Sequence, residues 1–536
     1  MEIKVVYTES LFYGGYVTRV DIMHWADVVA KEVADTCERP LIATGISPTG
    51  IIHVGSLREA ITGESIRSAV EGIGKNVKLI YLIDSFDPLR KRYDFLPKEY
   101  EKYVGMPISK IPCPCGKHDN YAHHFVQPFL DAVDSLKVKC EIIWTHELYE
   151  QGRFARAIDT CFKKRAEIIK ILHEVSGKEA KESYAPYNPL CEKCGRFTDP
   201  VFETYSYPTV EYQCTCGHHG KADVTKGDGK LTWRLEWPAK WLIFNTSAEP
   251  FGKDHAAAGG SYDTGKRIVE EIYGHNAPYP IPYEFVQLKG VGQMHKSLGC
   301  SVTGLDAIKM TPPEVLNYLF LRVNPSKAID YDSGLGTLDM ADEYDRMERL
   351  FFSGEYTDAE ENSVRAYEIA QHNNVPKELP LQISYRHLVN VVQMSNTFEG
   401  VLEILGRTED LSKITDEDLK RLERRAECVR YWLNGFAPDQ VKFSVYPTIP
   451  PGIELTMNDK VFFKELVNRM NDCNWDAETI NSIISETGKE SPLGSKAGFK
   501  IIYSVLIGKS AGPRLGAFLS SMDKQFVMNR FIQATQ

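Results

Sequence analysis

The chain has 536 residues, of which 43% are hydrophobic and 25% charged, and this composition is that of a globular enzyme with about three or four domains. The formal net charge of −10 argues against general electrostatic binding to nucleic acid, although a local basic surface would be enough for an RNA partner. There is no run of about twenty apolar residues and no signal-peptide pattern at the N-terminus, so we expect a cytoplasmic protein without a membrane span.

Short apolar strands alternate with helical segments between about residues 20 and 330. The strands are predicted over 40–44, 77–84, 140–145 and 283–289, and the helices over 56–71 and 153–176. This alternation predicts an α/β fold with a doubly wound, Rossmann-like and mainly parallel sheet. Ligands of such sheets bind at the carboxyl ends of the strands, where residues 47–53 and 84–87 would lie.

The remaining pattern predicts two insertions and a second domain. Residues at about 100–125 and 180–230 break the alternation with Cys, Gly, Pro and Tyr, so we interpret them as insertions in a first domain of residues 1–340. After that point strand signals nearly vanish, apart from 441–446. Apolar residues three or four positions apart, typical of an amphipathic helix, are Leu419, Leu422, Ala426, Val429 and Leu433. We therefore expect an α-helical domain over residues 341–536.

The turn that follows the first predicted strand is suited to binding the phosphates of a nucleotide. Its characteristic residues are Pro48, Thr49, Gly50, His53, Gly55 and Ser56. A helix N-terminus offers unpaired N–H groups and a partial positive charge, and glycines allow a phosphate to approach the backbone closely. The His53 imidazole could also donate a hydrogen bond to a phosphate on which negative charge is building up.

Two groups of cysteines indicate zinc. Cys191 and Cys194 precede Cys214 and Cys216 by about twenty residues, a zinc-ribbon spacing that can close a tetrahedral site, and His218 is an alternative to Cys216. The other group consists of Cys113, Cys115, His118 and His124. Each group can fill all four ligand positions, so we expect structural zinc that supplies folding energy to a small insertion.

A second Gly-rich loop, residues 290–299, carries Met294, Lys296 and Ser297. An ammonium group on such a loop can close over a triphosphate and stabilise charge on the leaving pyrophosphate. Class I aminoacyl-tRNA synthetases have a Lys-Met-Ser-Lys-Ser loop at this place, and the match is partial. Gln293 replaces the first Lys of that pattern, and His295 replaces its first Ser.

The His53 turn resembles the other signature of class I aminoacyl-tRNA synthetases, and nearly the whole chain resembles the class I lysyl-tRNA synthetases. Further matching blocks are residues 23–27, 45–50, 105–109, 252–255, 260–265, 508–509 and 512–519. The resemblance implies a doubly wound class I catalytic domain with zinc-binding insertions and an α-helical anticodon-binding domain. It also implies a lysine–tRNA ligase that uses ATP, L-lysine, tRNA(Lys), Mg²⁺ and one or two structural Zn²⁺, with no membrane or DNA partner.

The resemblance and the chemistry of the residues together give the expected site. His53 and Lys296 would be catalytic. ATP would be bound by Pro48, Thr49, Gly50, His53, Gly55, Ser56, Asp254, Met294, Lys296 and Ser297. The lysine substrate would be bound by Gly45, Ser47, Asp84, Trp237, His255, Tyr283 and Glu284. A lysine ammonium taken out of water needs a carboxylate or an aromatic face, which residues of this list supply.

Several alternatives stay open at the level of sequence. The chain could be a same-fold ligase for another amino acid such as glutamate. Alternatively, Gln293 and His295 favour a synthetase-derived tRNA-binding protein without activity. Two basic runs, 163–165 and 420–425, are candidate RNA-binding surfaces. Trp233, Trp237 and Trp241 recur every four residues, but Pro238 makes a continuous helix there doubtful.

Overall fold

The computed structural model describes residues 23–177, 184–198, 201–290, 292–293 and 302–536. The chain divides into two compact units. Among the described residues, the first comprises the part up to Leu305 with Asn317–Asp330 and Met347–Val375, and the second comprises Asp306–Leu316, Tyr331–Arg346 and Pro376–Gln536. The predicted boundary at residue 340 falls within the helix Gly336–Ser353. The assignment of a function to each domain stays a prediction.

The strands of the described residues are β1 Leu41–Ile46, β2 Lys78–Ile83, β3 Glu141–Trp144, β4 Tyr187–Pro189, β5 Val201–Ser206, β6 Thr209–Gln213, β7 His219–Asp223, β8 Gly229–Leu231, β9 Ala248–Gly252, β10 Tyr279–Tyr283, β11 Val286–Leu288, β12 Gly292–Gln293 and β13 Ile329–Tyr331.

The helices of the described residues are α1 Trp25–Thr36, α2 Leu57–Gly72, α3 Tyr121–Ser135, α4 Thr145–Glu150, α5 Ala155–Lys163, α6 Arg165–Ser176, α7 Trp233–Phe244, α8 Ser261–Arg267, α9 Gly304–Met310, α10 Pro313–Leu321, α11 Gly336–Ser353, α12 Asp358–Ala370, α13 Tyr385–Val392, α14 Phe398–Leu405, α15 Asp416–Gly435, α16 Met457–Met470, α17 Ala477–Glu490, α18 Ser495–Ile507, α19 Leu515–Ser521 and α20 Lys524–Gln533. None of them is both long and apolar enough to cross a membrane.

A five-stranded parallel sheet forms the centre of the first unit, with the strand order β10-β9-β1-β2-β3. The chain winds outward from β1 through β2 to β3 and then returns to the other side of β1 for β9 and β10. This is the doubly wound order that the sequence predicts, and the predicted fold class is confirmed. The direction of winding reverses between β1 and β9, and ligands of such sheets bind beyond the carboxyl ends of the strands at this point.

Burial explains why these segments form strands and helices. The β2 strand is buried at every position from Leu79 to Ile83, as expected for a central parallel strand covered on both faces. Helix α2 packs against β1, β2, β9 and α1 and is buried on nearly all of its faces. Its buried ions are paired, since Arg67 donates two hydrogen bonds of 2.8 Å to Glu64.

Two predicted elements are divided in the structure. The predicted strand 283–289 is wrong as one element, because β10 ends at Tyr283 and β11 belongs to a separate three-stranded sheet. At Glu284 the N–H group donates to Pro325 O, and the Arg58 guanidinium donates to Glu284 O at 2.7 Å, so the chain leaves the central sheet there. The predicted helix 153–176 is interrupted at Lys164, whose ammonium donates to the carbonyl oxygens of residues 271 and 272.

Helix α7 continues through Pro238, contrary to the doubt that the sequence raises. A proline in a helix interior costs about 3 kcal/mol. Burial of a tryptophan side chain removes about 150 Å² or more from water, which is about 4 kcal/mol at 25 cal/mol per Å². Trp237 and Trp241 are both buried in this helix, so tertiary packing outweighs the proline.

The second unit has a helical core. Helices α16 to α20 bury a cluster around Phe462, Phe463, Leu466, Ile484 and Phe518. The predicted apolar stripe lies on α15, where Leu422, Ala426 and Val429 are buried. The strand signal at 441–446 is wrong, since no strand forms over these residues.

Candidate active site

A cleft of about 450 Å³ lies beyond the carboxyl ends of β1, β2, β9 and β10. It is the crevice that the strand order predicts. The structure brings eleven of the predicted site residues to its wall: Gly45, Ser47, His53, Gly55, Ser56, Asp84, Trp237, Asp254, His255, Tyr283 and Glu284. These residues come from four strand ends and the starts of α2 and α7, so the fold assembles them from distant parts of the chain.

The imidazole of His53 lies at the entrance to α2, where it is fixed through the backbone. Val54 N–H donates to Val302 O at 2.8 Å, and His53 forms an isolated β-bridge with Thr303. A Cβ atom at Gly55 would lie 2.9 Å from His53 Nδ1, which is closer than non-bonded atoms tolerate. Gly55 therefore leaves the space that the His53 ring occupies.

Three predicted ATP-site residues, Pro48, Thr49 and Gly50, do not line the cleft. They lie in the turn after β1, where Thr49 O accepts a 2.8 Å hydrogen bond from the hydroxyl of Tyr121. Met294, Lys296 and Ser297 lie outside the described residues. Their assignments to ATP stay predictions.

Glu59 occupies the floor of the cleft and was not predicted from the sequence. Its carboxylate accepts hydrogen bonds from Gly45 N–H at 2.8 Å and from the hydroxyl of Tyr283 at 2.7 Å, and also from the hydroxyl of Thr44. Burial raises its pKa above the ordinary value, and the three donors oppose that shift. Glu59 thereby ties the ends of β1 and β10 together beside the ligand space.

Two buried lysines neutralise the carboxylates that follow β2. Lys240 forms an ion pair with Asp84, whose pKa burial raises to about 6. Lys230 bonds Asp87 at 2.5 Å and Glu236 at 2.7 Å, and Asp87 also accepts a 2.8 Å hydrogen bond from Ser47. Burial alone would raise the pKa of Asp87, but Lys230 and Ser47 outweigh burial and hold it below its ordinary value.

Aromatic rings form one wall of the cleft. The Trp233 and Trp237 rings are 5.4 Å apart and nearly parallel, and the His255 ring lies 5.3 Å from Trp233 and 5.5 Å from Trp237. The helical spacing of four residues places these tryptophans on one face of α7, as the sequence predicts for a helix. A cation in the cleft would therefore meet both carboxylates and indole faces.

Acidic side chains outnumber basic ones on the wall of the cleft. Six carboxyl groups line the cleft, from Glu59, Asp84, Asp87, Glu249, Asp254 and Glu284. The lining cations are Arg90 and Lys240, together with two imidazoles. Glu59, Glu249 and Lys240 were missed by the sequence analysis. Glu249 lies in β9, which contains Pro250 and so gives a weak strand signal.

The predicted ligands of the first zinc site lie together. The Sγ atoms of Cys113 and Cys115 are 3.4 Å apart, and the Nδ1 atoms of His118 and His124 lie 3.3–3.7 Å from them. Tetrahedral zinc with ordinary bond lengths places its sulfur and nitrogen ligands roughly 3.5–3.8 Å from one another. The four atoms therefore fit a closed zinc site between β2 and α3.

The second predicted zinc site is formed by four thiols. Cys191 Sγ lies 3.8 Å from Cys216 Sγ, and Cys194 Sγ lies 3.7 Å from Cys214 Sγ. All four ligand atoms are within 4.8 Å of one another. His218 instead makes a 2.8 Å contact through Nε2 with the carboxylate of Glu192. The geometry thus favours Cys216 over His218 as the fourth ligand.

A second cavity, of about 770 Å³, lies within the helical unit. Its ionisable lining residues are Arg386, His387, Glu409, Lys442, Lys509 and Arg514. Four of these are permanent cations and one is an acid, although the chain as a whole is acidic. The blocks 508–509 and 512–519, which the sequence analysis singled out, contribute Lys509 and Arg514 to this cavity.

Part of each basic run that the sequence suggested as an RNA surface is paired within the protein. Lys163 bonds Asp159 at 2.6 Å, and the Arg165 guanidinium donates to Tyr184 O. In α15, Arg425 is buried against Asp345. Lys420 and Arg424 are exposed in the second run, and its role as an RNA surface stays a prediction.

Comparison with known proteins shows the family of the chain. The family model described as "tRNA synthetases class I (K)" matches residues 23–373. A lysine–tRNA ligase of Archaeoglobus fulgidus is 39% identical over 95% of this chain and 99% of that one. Those of Thermoplasma acidophilum and Thermoplasma volcanium are 39% and 40% identical, each over 95% of this chain and 98% of the relative. The chain therefore belongs to the class I (K) tRNA synthetases.

Proposed function

We propose that the protein is a lysine–tRNA ligase that activates L-lysine with ATP and transfers it to tRNA(Lys). The observation that carries the choice of lysine is the cleft itself, in which six carboxyl groups and a tryptophan wall surround the ligand space at the reversal point of the sheet. Such a wall suits a ligand with a cationic side chain. A glutamate side chain would find only Arg90 and Lys240 among the lysines and arginines of the lining, and Lys240 is already paired with Asp84.

The first step joins lysine to ATP. The lysine carboxylate attacks the α-phosphorus of ATP, the bond from that phosphorus to the bridging oxygen breaks, and pyrophosphate leaves, which gives lysyl-adenylate. The His53 imidazole and the N–H groups at the start of α2 would hold the phosphates and stabilise the developing charge. Lys296 would act from the loop that follows β12. Mg²⁺, when bound, offsets phosphate charge, and the rest of the catalysis is positioning.

Recognition of the amino acid falls to the opposite side of the cleft. Gly45 and Ser47 lie at the end of β1, where they would hold the amino-acid backbone. Trp237 and His255 would form the aromatic face for the ε-ammonium group, and Asp84, which is paired with Lys240, would add a carboxyl oxygen. Taking that ammonium out of water is favourable only when such partners replace its hydration.

The second step and the RNA contacts involve both units. A hydroxyl of the terminal tRNA adenosine attacks the mixed anhydride carbonyl, and AMP leaves. The helical unit would bind the anticodon, and its cationic cavity with Lys509 and Arg514 is the place that we assign to an unpaired anticodon nucleotide. The cavity is large enough for a nucleoside, and hydrogen-bonding side chains at its wall can reach base edges.

Zinc belongs to the proposal as a structural element. The four ligands of each cluster fill a tetrahedral shell, so neither cluster has an open position for a substrate. The thiolates that such sites need persist in a reducing compartment, and a cytoplasmic location is part of the same proposal.

An ATP–pyrophosphate exchange assay against single amino acids tests the proposal. Exchange stimulated by lysine and not by glutamate is expected, whereas glutamate-dependent exchange would overturn the choice of substrate. Replacing Lys296 with Ala should lower the exchange rate at least tenfold, which is about 1.4 kcal/mol of transition-state stabilisation. Full absence of exchange in the wild-type protein would instead favour a non-catalytic tRNA-binding protein.

A further inference from the structure

We propose that Glu249 is a positioning residue that sets the orientation of the Trp237 ring and thereby the affinity of the cleft for a cationic side chain. The proposal rests on the lysine–tRNA ligase function given above. It adds a residue that the sequence analysis did not single out.

The geometry around Glu249 is specific. Trp237 Nε1–H donates to Glu249 Oε1 at 2.9 Å, and Trp241 Nε1–H donates to Oε2 of the same carboxyl group. Glu249 is 7% exposed on β9, which lies between β10 and β1, and Trp241 is fully buried. One carboxyl group therefore holds two consecutive tryptophans of the α7 face, and each oxygen has its own indole donor.

The orientation of Trp237 matters because cations bind to the face of an indole ring and not to its edge. The Trp237 ring lies 5.5 Å from the Phe251 ring with an angle of 88° between their planes, and Trp233 stacks on it at 5.4 Å. The hydrogen bond to Glu249 fixes the orientation in which the Nε1–H edge of the Trp237 ring faces β9.

A buried acid at this position needs a reason, because an apolar side chain would be less costly. Burial raises the pKa of Glu249 to about 8, and the two indole donors oppose that rise. A glutamine of the same size would offer one acceptor oxygen, and its NH₂ group would face the N–H of the other indole. Only a carboxyl group satisfies both rings at once.

Glu249 also lines the cleft, so direct contact with the substrate ammonium is the competing role. Both of its oxygens already accept an indole N–H, which favours action through Trp237. The two roles differ in one respect. A positioning residue has no effect once the ring it positions has been removed.

The test compares four variants in lysine-dependent ATP–pyrophosphate exchange at saturating ATP. Glu249→Gln should raise the KM for lysine about tenfold and leave kcat within about twofold, because lost uniform binding appears in KM. In a Trp237→Phe background the same substitution should change KM less than about twofold. Trp241→Phe is the matched control, since it removes the other indole from the same carboxyl group and should leave the lysine KM close to that of the wild type.

L-Norleucine, which is lysine without its ε-amino group, separates the cation-binding effect from general damage to the cleft. Its inhibition constant should be the same for the wild type and Glu249→Gln. The proposal would be overturned if Glu249→Gln raised the lysine KM and the norleucine inhibition constant equally, or left the lysine KM unchanged. It would also be overturned if Glu249→Gln raised the lysine KM as strongly in the Trp237→Phe background as in the wild type.

If Glu249→Gln does not fold, Glu249→Asp serves in its place, because it keeps both oxygens but withdraws them by one methylene group. It should raise the lysine KM by a smaller factor, and an unchanged lysine KM would count against the proposal. Failure of the proposed function looks different, since the wild type would then show no lysine-dependent exchange at all.

Discussion

Gly55 and His53 show how a single atom decides the geometry of the nucleotide turn. A Cβ atom at Gly55 would lie 2.9 Å from His53 Nδ1 and 3.4 Å from Val286 Cβ. The His53 ring therefore occupies volume that a side chain at position 55 would need. The sequence pattern contains both residues, and the structure supplies the reason for their spacing. The position of the ring follows from the missing side chain two residues later.

We expect His53→Ala to lower the exchange kcat about 10²-fold, because the proposed hydrogen bond to the phosphates is lost, at about 2.7 kcal/mol. Gly55→Ala should also lower kcat by displacing the ring. Gly72→Ala, at the end of the helix that follows, is the matched control, because its Cβ would lie 4.0 Å from the nearest neighbouring atom, Asn373 Oδ1. Equal kcat values for Gly55→Ala and the wild type would contradict the packing argument.

Glu249 also predicts how stability depends on pH. Its pKa rises from the ordinary 4.5 to about 8 on folding, chiefly through burial. Below pH 4.5 both states carry the proton. Between pH 4.5 and 8 the unfolded chain releases the proton that the folded chain keeps, so the free energy of unfolding falls as pH rises, by at most about 1.4 kcal/mol per pH unit.

Thermal unfolding between pH 5 and 8 measures this dependence. The stability of Glu249→Gln should fall less steeply with rising pH than that of the wild type, because the amide does not titrate. Glu38→Gln, at an exposed position, is the control and should keep the wild-type profile. A wild-type slope that survives in Glu249→Gln would show that other groups cause it.

At the scale of elements, the segment around the four-cysteine cluster is joined to the cleft through β8. Lys230 on β8 is buried and neutralises Asp87 at the end of β2, which in turn accepts a hydrogen bond from Ser47 at the end of β1. Strand β8 also pairs with β4, which leads directly into Cys191. The segment that holds the four cysteines therefore supplies a charge to the floor of the cleft.

Metal analysis of the purified protein should give two zinc ions per chain. Cys216→Ser should reduce this to one, because a four-thiol site loses a ligand, whereas His218→Ala should retain two. The reverse result would transfer the fourth ligand position to His218. Removal of zinc with a chelator should lower the thermal stability of the chain, since metal binding contributes to folding.

Lys230→Met should be strongly destabilising, because it leaves the buried carboxylates of Asp87 and Glu236 without their partner, at about 3–5 kcal/mol. The double variant Lys230→Met, Asp87→Asn removes one of those charges and should recover part of the loss. Urea unfolding of both variants measures the difference. A single variant as stable as the wild type would contradict the neutralising role.

At the scale of the whole molecule, the two units carry different charges at their cavities. The cleft of the first unit is rich in carboxyl groups, and the cavity of the helical unit is rich in cations. This difference matches a division of labour in which the first unit binds a cationic amino acid and the second binds RNA. The overall net charge of −10 does not reveal this difference between the two cavities.

Arg514→Glu should raise the KM for tRNA about tenfold in aminoacylation while leaving the exchange reaction without tRNA unchanged. Lys489→Glu, an exposed charge reversal in the same unit but away from the cavity, is the control. An equal effect of both reversals would show that the cavity has no special role.

The sequence by itself determined the parts that depend on local spacing. Apolar periodicity gave the correct positions of β1, β2, α2 and α15, and the spacing of the cysteines identified both metal clusters. The turn around His53 was recognisable because its residues are consecutive. These features depend on neighbours within a few positions along the chain.

Only the tertiary structure decided the polar floor and the wall of the cleft. Glu59, Glu249 and Lys240 come from separate elements, and a buried charge is stable there only because partners more than a few residues away satisfy it. The same holds for the continuation of α7 through Pro238 and for the end of β10 at Tyr283. Each depends on the burial of rings or on hydrogen bonds between distant segments, and no local pattern encodes these.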